Sequence, residues 1–546
     1  MRIAALDLGS NSFHLLVVEA RLDGSFVPLA REREMLRLGD LVARTGAIGE
    51  EATARAVEVV RRFRSVAEAQ HADEIVALGT AALREATDGV ALVDRVRDET
   101  GVEIEVVDGL REAELIFTAV RSSVLIDPGP ALVADLGGGS LELAVGDRSG
   151  LVFATSLRLG VGRLTAEVAP ADPPAADDRA RLRARVAAEL AGVMDEVLSA
   201  KPQMLVGSSG TLTSIARIAL MARGGPLPST LNQLTVTAEE IASVARRVFS
   251  ATSAERARMP GCDSRRAELL PAGIVVLEEL MAATGLDSLT ISEWALREGI
   301  VLDAIGMHER AELAGDPRAM RRSSVLALCR RSSWRQRHAH QVAKLAVELF
   351  DATVDLHDLG PDSRELLELG GLVHDIGEHV SKTDHDRHTA YLIENGGLRG
   401  FSPAEVHKLA ALGRYHVRGT PKASFEPFGT LDDADRAEVT TLVALLRVAD
   451  ALDATHASLV EHARVEGHPM VRVGTEGAGP GRDCEPGPRR LDLVVEGHGD
   501  AELELWTVRR KQELFEKVFD CRLDLRLVRL GRVPYDPGRG GGAGLS

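Results

Sequence analysis

Two gapless copies of one short pattern constrain this chain more than any other feature. Asp7-Leu-Gly-Ser-Asn-Ser-Phe-His-Leu-Leu-Val17 and Asp135-Leu-Gly-Gly-Gly-Ser-Leu-Glu-Leu-Ala-Val145 align residue for residue, 128 positions apart. Each follows an apolar run, Ile3 to Leu6 and Ala131 to Ala134, so each reads as strand, glycine turn, strand. Glycines let backbone approach a ligand where a Cβ would collide. Successive turn amides then point into one concavity and cradle a phosphate. Two copies imply a duplicated domain with two phosphate loops facing one cleft. The copies differ where chemistry is expected: His14 stands in the first where Glu142 stands in the second. The second copy is therefore expected to carry the catalytic acid. Asp135 and Glu142 beside a phosphate cradle point to a divalent metal ion or to a water to be activated.

Around the loops, helix and strand signals alternate. Residues Ile48 to Ala69 read as a helix, Glu74 to Gly79 as a strand, and Thr80 to Ala86 as a turn into a helix. Arg84 falls in the first turns of that helix, where an anion is welcome. Val102 to Val107 reads as a strand, and a helix starts at Gly109 with Glu112 and Glu114 in its first turn. After the second loop, Ala169 to Asp178 reads as a loop before a helix. Gln203 to Thr213 reads as strand, Gly/Ser/Thr turn and helix, a third candidate anion contact, and Arg265 to Gly273 opens a further helix. Such alternation argues an α/β architecture.

From about residue 320 the pattern turns helical. Val342, Leu345, Ala346, Leu349 and Phe350 share one stripe, with His338 one turn earlier on the same face. His374-Asp375, His388 and His416 follow. Asp450 sits beside the apolar face of Leu442, Leu445, Leu446 and Ala449. These form a candidate nitrogen/oxygen metal-ligand set, the alternative being a retired structural site. Val473 to Arg490 reads as a Gly/Pro-rich linker. Leu491 to Val495, Ala501 to Trp506 and Cys521 to Leu527 read as strands, Thr507 to Phe519 as a helix, and Asp536 to Ser546 as a disordered tail.

A chain of 546 residues exceeds a single core, so several domains are expected. A net charge of −17 argues against a nucleic-acid-coating protein. One stretch is locally opposite: Pro317 to Val347 holds no acid but carries Arg318, Arg321, Arg322, Arg330, Arg331, Arg335, Arg337 and Lys344. It is either a solvated face or a guide for a polyanion. Four cysteines without a Cys-x-x-Cys pair fit a reduced cytoplasm. The chain begins directly on a strand, without signal-peptide features, and no apolar run reaches membrane-spanning length.

Asp7 to His14, Gly79-Thr-Ala-Ala-Leu-Arg84, Glu112-Ala-Glu-Leu-Ile-Phe117, Asp135 to Glu142 and Gly207-Ser-Ser-Gly-Thr211 together resemble the exopolyphosphatase / guanosine pentaphosphatase (Ppx/GppA) family of the actin-like ATPase superfamily. The resemblance implies two actin-like (ribonuclease-H-like) α/β domains forming a cleft, residues 1–125 and 126–310. It implies an all-α HD-type domain at 318–472 and leaves a small α+β C-terminal domain at 490–533. Glu112, Asp135 and Glu142 match the catalytic carboxylates. Asp7, Gly9, Ser10, Asn11, Ser12, Arg84, Gly137, Gly138, Gly139 and Ser140 match phosphate contacts. Asp7, Asp135 and Glu142 would hold Mg²⁺ or Mn²⁺. His338, His374, Asp375, His388, His416 and Asp450 match ligands of a second divalent metal in the HD-type domain. Two departures stand out: Arg111-Glu-Ala-Glu114 replaces a common Glu-Glu-Ala-Arg, and Tyr415 stands where two-metal HD proteins often have a histidine. The implied activity is hydrolysis of terminal phosphate from inorganic polyphosphate. Guanosine pentaphosphate 5′-phosphohydrolase is the alternative, and a nucleotide-binding sensor or a separate HD phosphohydrolase the next. The implied partners are the substrate and a second copy in a homodimer, with no membrane and no nucleic acid.

Overall fold

The apolar run Ile3 to Leu6 becomes a central strand because both of its faces are covered. Ile3 and Ala5 join one core, Ala4, Leu6 and Leu8 another, and all are fully buried. A computed structural model describes residues 1–21, 25–168, 170–306, 317–332, 334–467 and 489–530. The chain divides into two compact units, Met1–Ser324 with Arg399–Pro403, and Val325–Leu398 with Ala404–Ser546.

The first unit holds two sheets. One comprises β1 (Arg2–Leu8), β2 (Ser12–Ala20), β3 (Phe26–Met35), β4 (Glu74–Gly79) and β5 (Ile104–Val106), ordered β3-β2-β1-β4-β5. The other comprises β6 (Ala131–Leu136), β7 (Leu141–Gly146), β8 (Leu151–Leu157), β9 (Met204–Ser208), β10 (Thr235–Thr237) and β11 (Ser288–Ile291), ordered β10-β11-β9-β6-β7-β8. The repeat extends to register. Asp7 pairs with His14 across β1 and β2, and Asp135 with Glu142 across β6 and β7. In each sheet the first strand also pairs in parallel with a later strand, β4 or β9.

The helices that place the site are α1 (Glu50–Ala69), α2 (Ala81–Glu85), α3 (Gly109–Arg121), α4 (Gly210–Arg223), α5 (Leu270–Thr284) and α6 (Leu296–Ala304). α1 covers the outer face of the first sheet with Val57, Val60 and Phe63, and α5 covers the outer face of the second. Between the sheets the helices are exchanged. α3 follows the first sheet in sequence yet packs on β6, β7 and β8; α6 follows the second yet packs on β1 and β2. They meet each other in a core that takes Leu115, Ile116 and Phe117 from one and Ile300 and Val301 from the other. The range 126–310 thus contains a helix whose packing is on the first sheet.

The division between units falls within α7 (Pro317–Arg331). The second unit continues with α8 (Gln336–Ala352), α9 (Pro361–Val373), α10 (His385–Glu394), α11 (Pro403–Tyr415) and α12 (Asp433–Ala451). α8, α9 and α12 pack on one another, burying the expected stripe from Val342 to Phe350. A small sheet follows, β12 (Val460–Gly467), β13 (Arg489–Gly497) and β14 (Cys521–Arg529) in that order, with α13 (Glu502–Lys511) and α14 (Glu513–Val518) packed on α12.

Two expectations need correction. Val460 to Gly467 lies in the stretch expected to be wholly helical, but it pairs antiparallel with β13 and packs on α8. Ala501 to Trp506, expected as a strand, opens α13. Alternation would put Leu503 and Leu505 on one covered face, yet Leu505 and Val508, one helical turn apart, are buried while Leu503 is 51% exposed. In the basic stretch, Arg330, Arg335, Arg337 and Lys344 lie exposed, and several of its cations have partners within the second unit. Arg331 donates to the Gly396 carbonyl at 2.6 Å, Arg335 pairs with Glu378 at 2.9 Å, and Lys344 donates to the Glu461 carbonyl at 2.6 Å. The expected linker up to residue 488 and the tail Asp536 to Ser546 lie outside the described residues; Arg489 and Arg490 begin β13. No helix among the described residues is long and apolar enough to cross a membrane.

Candidate active site and a second histidine–aspartate centre

The two glycine turns meet. A Cβ on Gly138 would stand 2.9 Å from the Asn11 Cβ, and one on Gly139 would stand 2.6 Å from the Ser10 Oγ. Glycine is needed there because the other loop occupies the space. The turn carbonyls are tied inward: Gly39 donates to Ser10, Gly162 and Arg163 to Gly138, and the Arg163 side chain to Gly139. The amides of Ser10, Asn11, Gly138 and Gly139 have no acceptor among the described residues. This is a donor-rich concavity of the kind that binds phosphate.

Four acids line it: Asp7 on β1, Asp135 on β6, Glu142 on β7 and Glu112 in the first turn of α3. Asp108 caps that helix by accepting from the Arg111 amide at 2.8 Å. Burial pushes Asp7 up to about 7 against the pull of Arg297, with Asp135 and Glu298 adding to the rise. Burial and Asp135 push Glu142 up to about 7, although the Ser140 and Ser156 hydroxyls donate to it, the latter at 2.8 Å. Burial and Glu142 hold Glu112 well above the usual carboxylate range, opposed by Arg84, whose Nη1 lies 3.4 Å from Glu112. Burial raises Asp135 as well, opposed by Ser208, which donates to it at 2.7 Å. Hard oxygen donors that repel one another when charged suit a divalent ion completed by water and phosphate oxygens. The structure brings together Asp7, Arg84, Glu112, Asp135 and Glu142 with the two turns. Glu114 points elsewhere, pairing with Arg111, which also binds Asp303 at 2.6 Å.

Sequence reading missed a group of arginines on the first loop's side. Burial and the charges of Arg297, Arg33, Arg266 and Arg265 hold His14 well below its ordinary value. Neutral His14 accepts from Arg297 at Nδ1 (3.4 Å), so its Nε2 hydrogen faces the Ser12 Oγ at 2.8 Å. Arg266 is itself depressed to about 10, by burial and by Arg33. The third strand-turn-helix acts through this group. Ser208 holds Asp135, and Arg266 donates to Thr211 at 3.3 Å. Arg266 also fills the space beside Gly210, where a Cβ would lie 2.2 Å from its guanidinium. Only an apolar strand followed by Gly/Ser/Thr hinted at this part.

In the second unit, His338, His374, Asp375, His416 and Asp450 converge, and two sets could each share an ion: His338 with His374 and Asp450, and His374 with Asp375 and His416. His388 does not join them. His385, one turn earlier on α10, does, with Nε2 3.2 Å from both His416 Nε2 and Asp375 Oδ1. Asp375 in turn holds His385 protonated up to about 9, while burial pushes His374 down to about 4. Three more groups were not foreseen. Asp453 accepts from His338 Nδ1 at 2.8 Å, His456 stacks on His338 at 3.8 Å, and Lys511 from α13 reaches Asp450 Oδ2 at 2.6 Å. Tyr415 packs against Phe425 and Phe428, away from the ligand set.

Comparison with known proteins follows the same division. Residues 17–308 match the model of the Ppx/GppA phosphatase family, and residues 320–467 match Ppx/GppA phosphatase, domain III. Exopolyphosphatase 1 of Mycobacterium leprae (strain TN) is 37% identical over 305 residues, 55% of this chain and 89% of that protein. Exopolyphosphatase 1 of Mycobacterium tuberculosis (strain ATCC 25618 / H37Rv) is 36% identical over 305 residues, 55% of this chain and 88% of its own length. Among solved structures, an exopolyphosphatase from Cytophaga hutchinsonii aligns with a TM-score of 0.53 and 27% identity, covering 56% of this chain and 98% of that one. The Aquifex aeolicus Ppx/GppA family member aligns with a TM-score of 0.50 and 28% identity, over 57% and 99%.

Proposed function

The chain belongs to the Ppx/GppA phosphatase family, and on that premise we propose that it is an exopolyphosphatase, releasing the terminal phosphate of inorganic polyphosphate by attack of water. The observation that carries the proposal is the buried pair Glu112 and Glu142, held above two phosphate loops that face each other. The terminal phosphoryl group lies between the turns, where the amides of Ser10, Asn11, Gly138 and Gly139 and the Ser12 hydroxyl donate to it. Arg84 contacts the same group. Glu112, with the charge of Glu142 near it, orients and deprotonates the attacking water. Phosphoryl transfer asks for positioning and charge stabilisation more than covalent chemistry, and preformed amides supply both. Asp7, Asp135 and Glu142 would hold a divalent ion, Mg²⁺ or Mn²⁺, which when bound offsets charge on the phosphoryl oxygens.

The arginines Arg33, Arg265, Arg266 and Arg297 gather around His14, with Asp263 as the shared acid of the first three, and that excess of positive charge favours a long polyanion. That group takes the role first considered for Arg318 to Lys344. Guanosine pentaphosphate would use the same loops, but nothing in the site singles out a guanosine. A sensor would not need the retained acids. The test is steady-state phosphate release from long-chain polyphosphate and from guanosine pentaphosphate, side by side. Polyphosphate is expected to be preferred in kcat/KM, and the reverse ranking would replace the substrate. Glu112→Gln is expected to lower kcat by roughly 10²- to 10⁴-fold while polyphosphate still binds. Unchanged turnover would remove Glu112 from the chemistry.

We read the helical unit as an HD-type domain whose His338, His374, Asp375, His416 and Asp450 bind a divalent metal. The free thiols Cys262, Cys329 and Cys521 support a reducing, cytoplasmic location. A homodimer and the lack of a nucleic-acid partner complete the reading.

A further inference from the structure

The chain is only 3% aromatic and has three tyrosines, yet two of them, Tyr391 and Tyr415, line one pocket. The pocket lies wholly within the second unit, between α10 and the segment that follows α11. Its volume is about 750 Å³, within the range of sites that take small molecules. None of the groups of the histidine–aspartate centre lines it. α10 gives it one face, Arg387, Ala390, Tyr391 and Glu394, at the spacing that puts side chains on one side of a helix. The other wall runs from Arg414 to Phe425 and is held in place. Buried Arg447 donates to the Tyr415 and Gly419 carbonyls, and Phe425 and Phe428 pack edge-on against the Tyr415 ring.

The two ends of the pocket differ in charge. At the start of α10, Arg414 pairs with Asp386, and Arg418, its side chain 79% exposed, approaches Asp384 at 3.8 Å. Arg387 in the same turn, and Lys422 on the opposite wall, have no carboxylate partner among the described residues. The lining's only acid is Glu394, seven residues further along α10 and so about 10 Å away, with Glu426 near it. Tyr391 stands between these ends. It is 64% exposed, and its ring meets no other ring and no cation among the described residues. Tyr415 is only 7% exposed. Its hydroxyl accepts from the Lys422 amide at 3.2 Å, and its own hydrogen has no acceptor among the described residues.

A simple anion would use the cations and leave Tyr391 idle, while an apolar ligand would have no use for the cations. We propose that this pocket binds a nucleotide, its phosphates against Arg387, Arg418 and Lys422, its base on the Tyr391 ring, and Glu394 accepting from the N–H groups of the base. Guanidinium groups suit phosphate because their paired N–H donors match its oxygens. Stacking on an aromatic face suits any base, and a carboxylate accepts from amino groups on its edge. The Tyr415 hydroxyl supplies a further donor to sugar or phosphate. α10 also carries His385, and α11 runs directly into His416, so a bound nucleotide braces the two elements that supply those histidines. The proposal is independent of the exopolyphosphatase reading, which concerns the first unit.

The test titrates the full chain calorimetrically with ADP, with GDP and with inorganic pyrophosphate, and locates each ligand by hydrogen exchange. At least one nucleotide is expected to bind and to protect residues 385–394 and 414–425. Tyr391→Ala should raise its Kd about five- to a hundredfold, and Tyr391→Phe should keep it. Arg387→Gln combined with Arg418→Gln should raise it about tenfold or more. All three side chains are exposed, so these changes leave the fold intact. Nucleotide protection confined to the cleft loops, or a Kd indifferent to Tyr391→Ala and to the arginine pair, would overturn the proposal. Pyrophosphate binding as tightly as either nucleotide and unmoved by Tyr391→Ala would overturn it too, leaving a site for phosphate without a base. Phosphate release from polyphosphate, followed in the same preparations, reports separately on the first unit.

Discussion

A single exchange, His14 for Glu142, reverses the use of the serine beside it. His14 gives its Nε2 hydrogen to Ser12, which leaves the Ser12 hydroxyl hydrogen free for a phosphate. At the other turn Ser140 spends its hydrogen on Glu142. The asymmetry was legible in two aligned lines of sequence; its consequence was not, because Arg297 and Arg266 arrive from the far end of the first unit. The acids carry a pH signature. Burial raises Asp7 and Glu142 to about 7, above their unfolded values of 3.8 and 4.5. Their contribution to stability is therefore fully present below about pH 4 and is lost as pH rises through about 7. A divalent ion competes with those protons. Mg²⁺ is expected to raise Tm by several degrees near pH 8 and hardly at all near pH 5.5, read by thermal-shift titration. Equal shifts at both would take these acids out of the ion's ligand set.

At the scale of elements, turns decided what periodicity could not. The strand-turn-helix from β9 to α4 was expected to touch an anion. What the described residues show is that it holds other groups of the site: Ser208 on Asp135, and Thr211 and the bare Gly210 around Arg266. Ser209, between them, takes φ 90°, a conformation uncommon outside glycine. Gly210→Ala should displace the guanidinium and raise KM for polyphosphate by about tenfold, a cost of about 1.4 kcal/mol, with kcat less affected. An unchanged KM would mean that Arg266 does not meet substrate. His385 and His388 show the same limit. Both lie on α10, and which one faces the centre depends on where the first turn begins. The preceding Asp384, at φ 52°, starts the helix at His385. Spacing in the sequence carries no mark of that start.

For the whole molecule, the duplicated lobes were legible because both copies keep the turn and its flanking strands in register. The exchange of α3 and α6 between lobes was not, since an apolar helix does not name the sheet it will cover. The first unit contains the complete cleft, and the family model covering 17–308 lies within it. A chain ending at Ser324 is therefore expected to retain polyphosphate hydrolysis within about tenfold of the full chain, measured by phosphate release. Loss of activity with the fold intact would make the second unit part of the phosphatase. The exchange also sets an order of events during synthesis. β1 and β2 are among the first residues made, but α6, which covers one of their faces, ends at Ala304. At ordinary elongation rates Ile3, Ala5, Leu16 and Val18 wait roughly 15–60 s for that cover. The first lobe cannot finish folding as it leaves the ribosome, and a nascent chain halted anywhere before Ala304 presents a naked apolar sheet to whatever binds such surfaces.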